Sequence, residues 1–288
     1  MSLPVIITGL SQVATAYDAL LCDVWGVVHN GRESFAPACD ALARFKAERG
    51  PVVLVSNAPR PASDVLPQLD ALGVPRAAWS AVVTSGDATR ALLAERAPGP
   101  AWAIGPARDA PLYDGLGLDF TGPDEAAFIA CTGPVDDTVE TPEDYRALLA
   151  AGADRGLVMI CANPDRVVQR GDRLVFCGGA LADLYVELGG AVVMAGKPHA
   201  PIYALALERA AAERGGPLLR QRVLSIGDGI ATDLGGAAAQ GIDALFIADG
   251  VHAAELTDRD APLDAARLGA VLAGEGGKAR FAMRALAW

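Results

Sequence analysis

The sequence predicts an α/β fold, a doubly wound parallel sheet carrying an inserted α/β domain, on three observations. Short apolar runs alternate with stretches whose apolar residues recur at helical spacing. Four of those runs end in a polar group. The chain has 288 residues, more than one core usually holds.

The first apolar stretch covers residues 19–28, its run 19–22 closed by Asp23, and Ala38, Ala41, Leu42 and Phe45 follow on one helical face. Pro37 opens that helix and Gly50 lies just beyond its end, where start and stop residues belong. Residues 52–55 read as a second strand ending in Ser56, and Leu66, Leu69 and Leu72 as the stripe of a second helix. Strands separated by helices pair in parallel through crossovers. After the run 81–85 come a helix-like stretch over 87–96, the loop Ala-Pro-Gly-Pro at 97–100, and a fresh series of strands at 101–105, 126–133 and 156–163. From Val192 the first rhythm resumes: a strand ending in Gly196 and Lys197, a helix with Ile202, Leu205 and Arg209, a strand ending in Asp228, a small-residue helix over 231–240, and a strand over 243–249. The boundaries that follow are 1–85 plus 193–288 for the core and 86–192 for the inserted domain.

Composition narrows the function. Hydrophobic residues make up 52% and charged residues 20%, a globular balance, and no window has the apolar length of a membrane span. The first residues show no basic leader before their short apolar stretch, so the expectation is a cytoplasmic protein without a secretory signal. The five cysteines, Cys22, Cys39, Cys131, Cys161 and Cys177, form no C-x-x-C pair and read as reduced packing residues. A net charge of −11 argues against nucleic acid, whose backbone calls for a basic face. The same negative field repels a phosphorylated metabolite unless a metal ion or local cations offset it.

Ligands of open α/β sheets bind beyond the carboxyl ends of the strands. Asp23, Ser56, Lys197 and Asp228 each close an apolar run. Any one of them alone could simply cap the next helix, but four of compatible chemistry in series form a constellation. Asp23 and Asp228 could share a magnesium ion, which favours one or two carboxylates with waters and phosphate oxygens. Ser56 could donate to a phosphoryl oxygen while Lys197 places a positive charge there. Asp23 would then be poised as a carboxylate nucleophile. Gly190 to Lys197 has the wrong spacing for a P-loop, and Gly227 to Thr232 lacks the third glycine of a dinucleotide fingerprint, so no NAD site is expected.

The segments D-V-W-G-V at 23–27, S-N at 56–57, G-K-P at 196–198 and G-D-G-I-A-T-D at 227–233 resemble, in order and spacing, the four motifs of the haloacid dehalogenase superfamily. The resemblance spans nearly the whole chain. The insertion is similar to the C2-type cap of the subfamily of NagD-like phosphatases, as are C-A-N-P-D at 161–165 and C-G-G-A-L at 177–181. The resemblance implies a Rossmann-like core, a cap closing over a phosphomonoester, and often a homodimer formed through caps. It further implies Asp23 as nucleophile and magnesium ligand, the Trp25 main-chain carbonyl as a second ligand, and Asp228 as a third. Ser56 and Lys197 would bind the phosphoryl group, with Asn57 shaping its pocket, and Asp233 would orient metal-bound waters or Lys197. Asp233 reads equally as the polar face of a helix, and Asn163 and Asp165 either touch substrate or belong to a plain turn.

One position departs from the pattern. Family phosphatases carry an aspartate two residues after the nucleophile as general acid and base, and this chain has Trp25, whose indole is neither near neutrality. Three readings follow: a magnesium-dependent phosphatase acting on a small phosphorylated metabolite through phospho-Asp23, a phosphate- or metabolite-binding relative with little turnover, and a dehalogenase-like displacement. The acidic run 228–233 suits a magnesium site that dehalogenases do not need. His29 is the histidine near the first motif and a conceivable substitute base, although His-Asn-Gly-Arg at 29–32 also reads as a turn.

Overall fold

The computed structural model describes residues 3–170, 173–256 and 262–288. In chain order it runs β1 (Val5–Ile6), β2 (Ala19–Cys22), α1 (Ala36–Glu48), β3 (Val52–Ser56), α2 (Ala62–Ala71), β4 (Ala81–Thr84) and α3 (Ser85–Ala94). Next come β5 (Ala101–Ile104), β6 (Phe128–Cys131), α4 (Arg146–Asp154), β7 (Val158–Cys161), β8 (Val167–Arg170), β9 (Arg173–Phe176), α5 (Gly178–Glu187) and β10 (Ala191–Met194). Then follow α6 (Ala200–Arg214), β11 (Val223–Gly227), α7 (Gly235–Gln240), β12 (Asp243–Ile247) and β13 (Phe281–Met283). Pro37 sits in the first turn of α1, whose Ala38, Ala41, Leu42 and Phe45 are buried as the spacing predicts.

Two compact units result. One comprises the chain up to Ser56, Leu66–Val83 and Tyr203–Trp288; the other comprises Asn57–Val65 and Thr84–Ile202. The first holds a seven-stranded sheet in the order β1-β13-β12-β11-β2-β3-β4. Strands β2 and β3 pair in parallel, as do β11 and β12, and β2 is also parallel to β11 with Cys22 opposite Ile226. The chain therefore winds from β2 to β3 and β4 on one side, and from β11 to β12 and β13 on the other. Between β2 and β11 the winding reverses, and a doubly wound sheet binds its ligand at such a switch point. Leu20, Leu21, Leu54, Phe45 and Phe246 are fully buried in this unit, each contributing about 1.5–3 kcal/mol by burial.

The second unit has its own parallel sheet, β10-β7-β6-β5, and a separate antiparallel pair of β8 and β9. Both faces of the four-stranded sheet are covered. Ile129, Cys131, Met159 and Cys161 pack with Leu149, Leu181 and Tyr185 on one face, and Phe128, Ala130 and Ile160 pack with Leu93 and Leu112 on the other. Strands covered on both faces read as continuous apolar runs, which is why these segments stand out in the sequence.

The observed division is wider than residues 86–192. Residues 192–194, expected to resume the first sheet, instead pair with β7 in the second, with Val193 opposite Ile160. At the other boundary, Thr84 caps α3 through a reciprocal pair of hydrogen bonds with Asp87, and the Asp87 carboxylate also accepts from the Ala62 N–H at 3.1 Å. These ties draw Thr84, Ser85 and the segment 57–65 into the second unit. All five cysteines are buried, and among the described residues none forms a disulfide. Among the described residues, no helix is long and apolar enough to cross a membrane.

Candidate active site

Asp23 directly follows β2 and Asp228 directly follows β11, so the two carboxylates leave adjacent strands at the switch point. The Asp23 N–H donates to the Ile226 carbonyl at 2.8 Å, which continues the ladder up to the first acid. Asp228 Oδ2 accepts from the Val251 N–H at 2.8 Å. Asp233 lies in a π-helical turn, Ile230–Leu234, and its Oδ2 accepts from the Gly229 N–H at 3.0 Å. Such turns occur often at functional sites because they re-aim a side chain out of the regular spiral. The Tyr203 hydroxyl donates to the Asp233 carbonyl at 3.2 Å and steadies that turn.

The three acids are each less than one-tenth exposed, and one oxygen from each lies within 4.8 Å of the other two. Three carboxylates so close in a buried place repel one another unless a cation shares them or a proton neutralises one. Their hard oxygen donors suit a divalent ion such as magnesium. The backbone is shaped to admit them. A Cβ at Gly26 would stand 2.2 Å from Asp228 Oδ2, one at Gly250 would stand 2.1 Å from the same atom, and one at Gly227 would stand 2.2 Å from Asp233 Cγ. Only glycine leaves that space to the carboxylates, and Gly26 also has a φ of +83°. The part played by Gly250 and the Val251 N–H was not anticipated from the sequence; the signal was a glycine following the strand that ends at Ile247.

Trp25 is partly buried, and its indole runs over the 29–31 turn. A Cβ at Gly31 would meet the ring at 2.4 Å, and the indole meets the His29 ring edge-on with centroids 5.1 Å apart. His29 is 3% exposed, and burial pushes its pKa down to about 4. Its Nδ1 accepts from the Gly31 N–H at 3.1 Å. The histidine is thus a neutral member of a packed turn.

The other expected residues gather within the second unit, except Ser56, which ends β3 in the first. Lys197 is 4% exposed and follows β10 by three residues. Its N–H donates to Asn57 Oδ1 at 2.8 Å, and its carbonyl accepts from Asn57 Nδ2 at 3.2 Å. Asn57 Nδ2 also donates to Asp165 Oδ1 at 2.8 Å. Asn163 uses its side-chain oxygen to accept the Asp165 N–H at 3.1 Å, so the 163–165 segment is an Asx turn. Asp23, Asp228 and Asp233 thus meet in one unit, and Lys197 meets Asn57 and Asp165 in the other.

Residues 20–119 match a family model described as haloacid dehalogenase-like hydrolase, and residues 194–269 match a second described as HAD-hydrolase-like. A crystal structure from Brucella suis 1330, described as a hydrolase of the haloacid dehalogenase-like family, is 47% identical, with a TM-score of 0.87 over 98% of this chain and all of that one. D-glycerol 3-phosphate phosphatase of Mycobacterium tuberculosis is 28% identical over 248 residues, 85% of this chain and 67% of its own length. A glycerol phosphate phosphatase from the same organism, solved with magnesium, is 26% identical at a TM-score of 0.63, covering 83% of this chain and 70% of that one.

Proposed function

This chain belongs to the haloacid dehalogenase-like hydrolases, and from that premise we propose that it is a magnesium-dependent phosphatase acting on a small phosphorylated metabolite through a covalent phosphoaspartate on Asp23. The observation that carries the reading is the meeting of Asp23, Asp228 and Asp233, all buried, where the winding of the sheet reverses. The magnesium-bound and glycerol-phosphate-named relatives support the choice of metal and of substrate class.

In this reading Asp23, Asp228 and the Trp25 carbonyl would hold the magnesium ion, and Asp233 would orient its waters. The ion, when bound, neutralises charge on the phosphoryl oxygens. A carboxylate oxygen of Asp23 attacks phosphorus, the bond from phosphorus to the ester oxygen breaks, that oxygen takes a proton from water and leaves as an alcohol, and the enzyme is left as an acyl phosphate. Water then attacks that phosphorus and returns the Asp23 carboxylate with inorganic phosphate. Ser56 and Lys197 bind the equatorial phosphoryl oxygens, where negative charge gathers in the transition state.

Trp25 favours a second reading of the same site, in which phosphate binding is retained and turnover is slow. The test is a screen of phosphorylated metabolites, glycerol phosphates first, with purified protein and magnesium. Sustained release of phosphate above an Asp23→Asn control supports the phosphatase; tight phosphate binding without it supports the binding protein. Magnesium-independent turnover of a 2-haloacid would instead favour dehalogenase-like displacement.

A further inference from the structure

Asn57 is the residue after Ser56, and its side-chain amide has no hydrogen-bonding capacity left for a substrate on the nitrogen side. One N–H goes to Asp165 Oδ1 at 2.8 Å and the other to the Lys197 carbonyl at 3.2 Å, while Oδ1 takes the Lys197 N–H at 2.8 Å. The amide thus grips both main-chain polar groups of one buried residue, 140 positions away in sequence. An amide can be turned over to exchange its oxygen and nitrogen; the Asp165 carboxylate, which only accepts, forbids the turned-over state.

The surroundings are closed on the same point. A Cβ at Gly196 would stand 2.5 Å from Ser85 Oγ, 2.8 Å from Asn57 Oδ1 and 2.8 Å from Pro164 Cδ. Three separate stretches of chain therefore converge on the peptide before Lys197, and glycine is what lets Asn57 reach it.

We infer that Asn57 is a positioning residue for Lys197, with Asp165 fixing the orientation of the Asn57 amide, so that neither side chain serves primarily to bind substrate. The inference rests on the proposed role of Lys197 at the phosphoryl group. A shift of 1 Å in a charge that must meet a transferring group can cost about 100-fold in rate, so the main-chain grip acts on the chemical step more than on affinity.

The test uses Asn57→Ala, Asn57→Asp, Asp165→Asn and the double variant Asn57→Asp/Asp165→Asn, each read in two ways. Backbone amide exchange at Lys197 needs no turnover. It should quicken by about 2- to 10-fold in Asn57→Ala, the worth of one lost hydrogen bond. Steady-state kinetics on a phosphomonoester should show kcat falling roughly 10- to 100-fold in that variant, with KM within about threefold. Asn57→Asp sets two carboxylates face to face and should be worse on both readouts. The double variant restores a donor opposite an acceptor and should recover part of each loss. Unchanged exchange at Lys197 in Asn57→Ala overturns the inference, as does a rise in KM at constant kcat or a double variant no better than Asn57→Asp. If the wild-type protein turns over no phosphomonoester, the proposed function falls, and the exchange measurements still decide whether Asn57 and Asp165 hold the lysine.

Discussion

The backbone N–H of Gly31 donates to Nδ1 of His29 at 3.1 Å, while the His29 ring lies edge-on to the Trp25 indole. With Nδ1 committed as an acceptor, the neutral ring carries its hydrogen on Nε2 and has no free lone pair to take a proton. Replacing His29 by Asn keeps an acceptor near Gly31. The expected result is a kcat/KM within about threefold of wild type, against the loss of roughly 10² to 10⁴ that removal of a general base brings. A loss in that range, with the acidic limb of the pH profile gone, would restore the histidine as the substitute base.

Burial of His29 also sets a pH dependence of stability. Its folded pKa is lowered to about 4 against an ordinary value of 6.5. Between those values the unfolded chain binds the extra proton, so stability falls as pH drops through this window and is fully present above it. The whole loss is roughly 3 kcal/mol, from about 1.4 kcal/mol for each unit of difference. Urea unfolding at pH 7 and pH 4.5 should show a stability gap that shrinks in His29→Asn; an equal gap in both proteins would contradict the assignment.

The acid cluster makes a prediction about magnesium. Asp228→Asn removes a charge from the three, and Gly227→Ala puts a methyl group where Asp233 Cγ now sits 2.2 Å from the ideal Cβ position. Both variants should lose most of the rise in melting temperature that magnesium gives the wild type, since that rise scales with binding to the folded state. Gly227→Ala should also cost about 1–3 kcal/mol without metal, by overpacking. A full magnesium response in Asp228→Asn would remove that residue from the ligand set.

The sequence made the acids easier to find than their partners. Asp23 and Asp228 end continuous apolar runs, and burial on both faces of a parallel sheet is what produces such runs. The run before Lys197 looks the same, yet an apolar strand carries no label for the sheet it joins, and residues 191–194 pair with β7. Residues 231–240 read as one helix because small residues suit any tight spiral; the π-helical turn that aims Asp233 leaves no periodic trace. The amide contacts of Asn57 with Asp165 and Lys197 span 108 and 140 positions, and no local pattern encodes partners so distant.

Trp25 leads to the last prediction, that hydrolysis of the phosphoenzyme, not its formation, is slow for activated substrates. The indole packs over Gly31 and beside His29, and neither offers an acid or base in its place. An aryl phosphate has a leaving group that departs without protonation, so attack by Asp23 proceeds unaided. The acyl phosphate has no such help, because water must attack it without a positioned base, at a cost of about 10² to 10⁴ in rate. Alkyl phosphates need the acid in the first step too and should be poorer still. Rapid mixing with p-nitrophenyl phosphate and magnesium should release a burst of nitrophenol close to one equivalent per site, followed by slow turnover. Trp25→Asp should speed the slow phase, provided the turn at Gly31 closes over the lost indole volume. A linear time course with brisk turnover of alkyl phosphates would show that another group supplies the proton transfers, and a screen of the acidic side chains around Asp23 would then identify it.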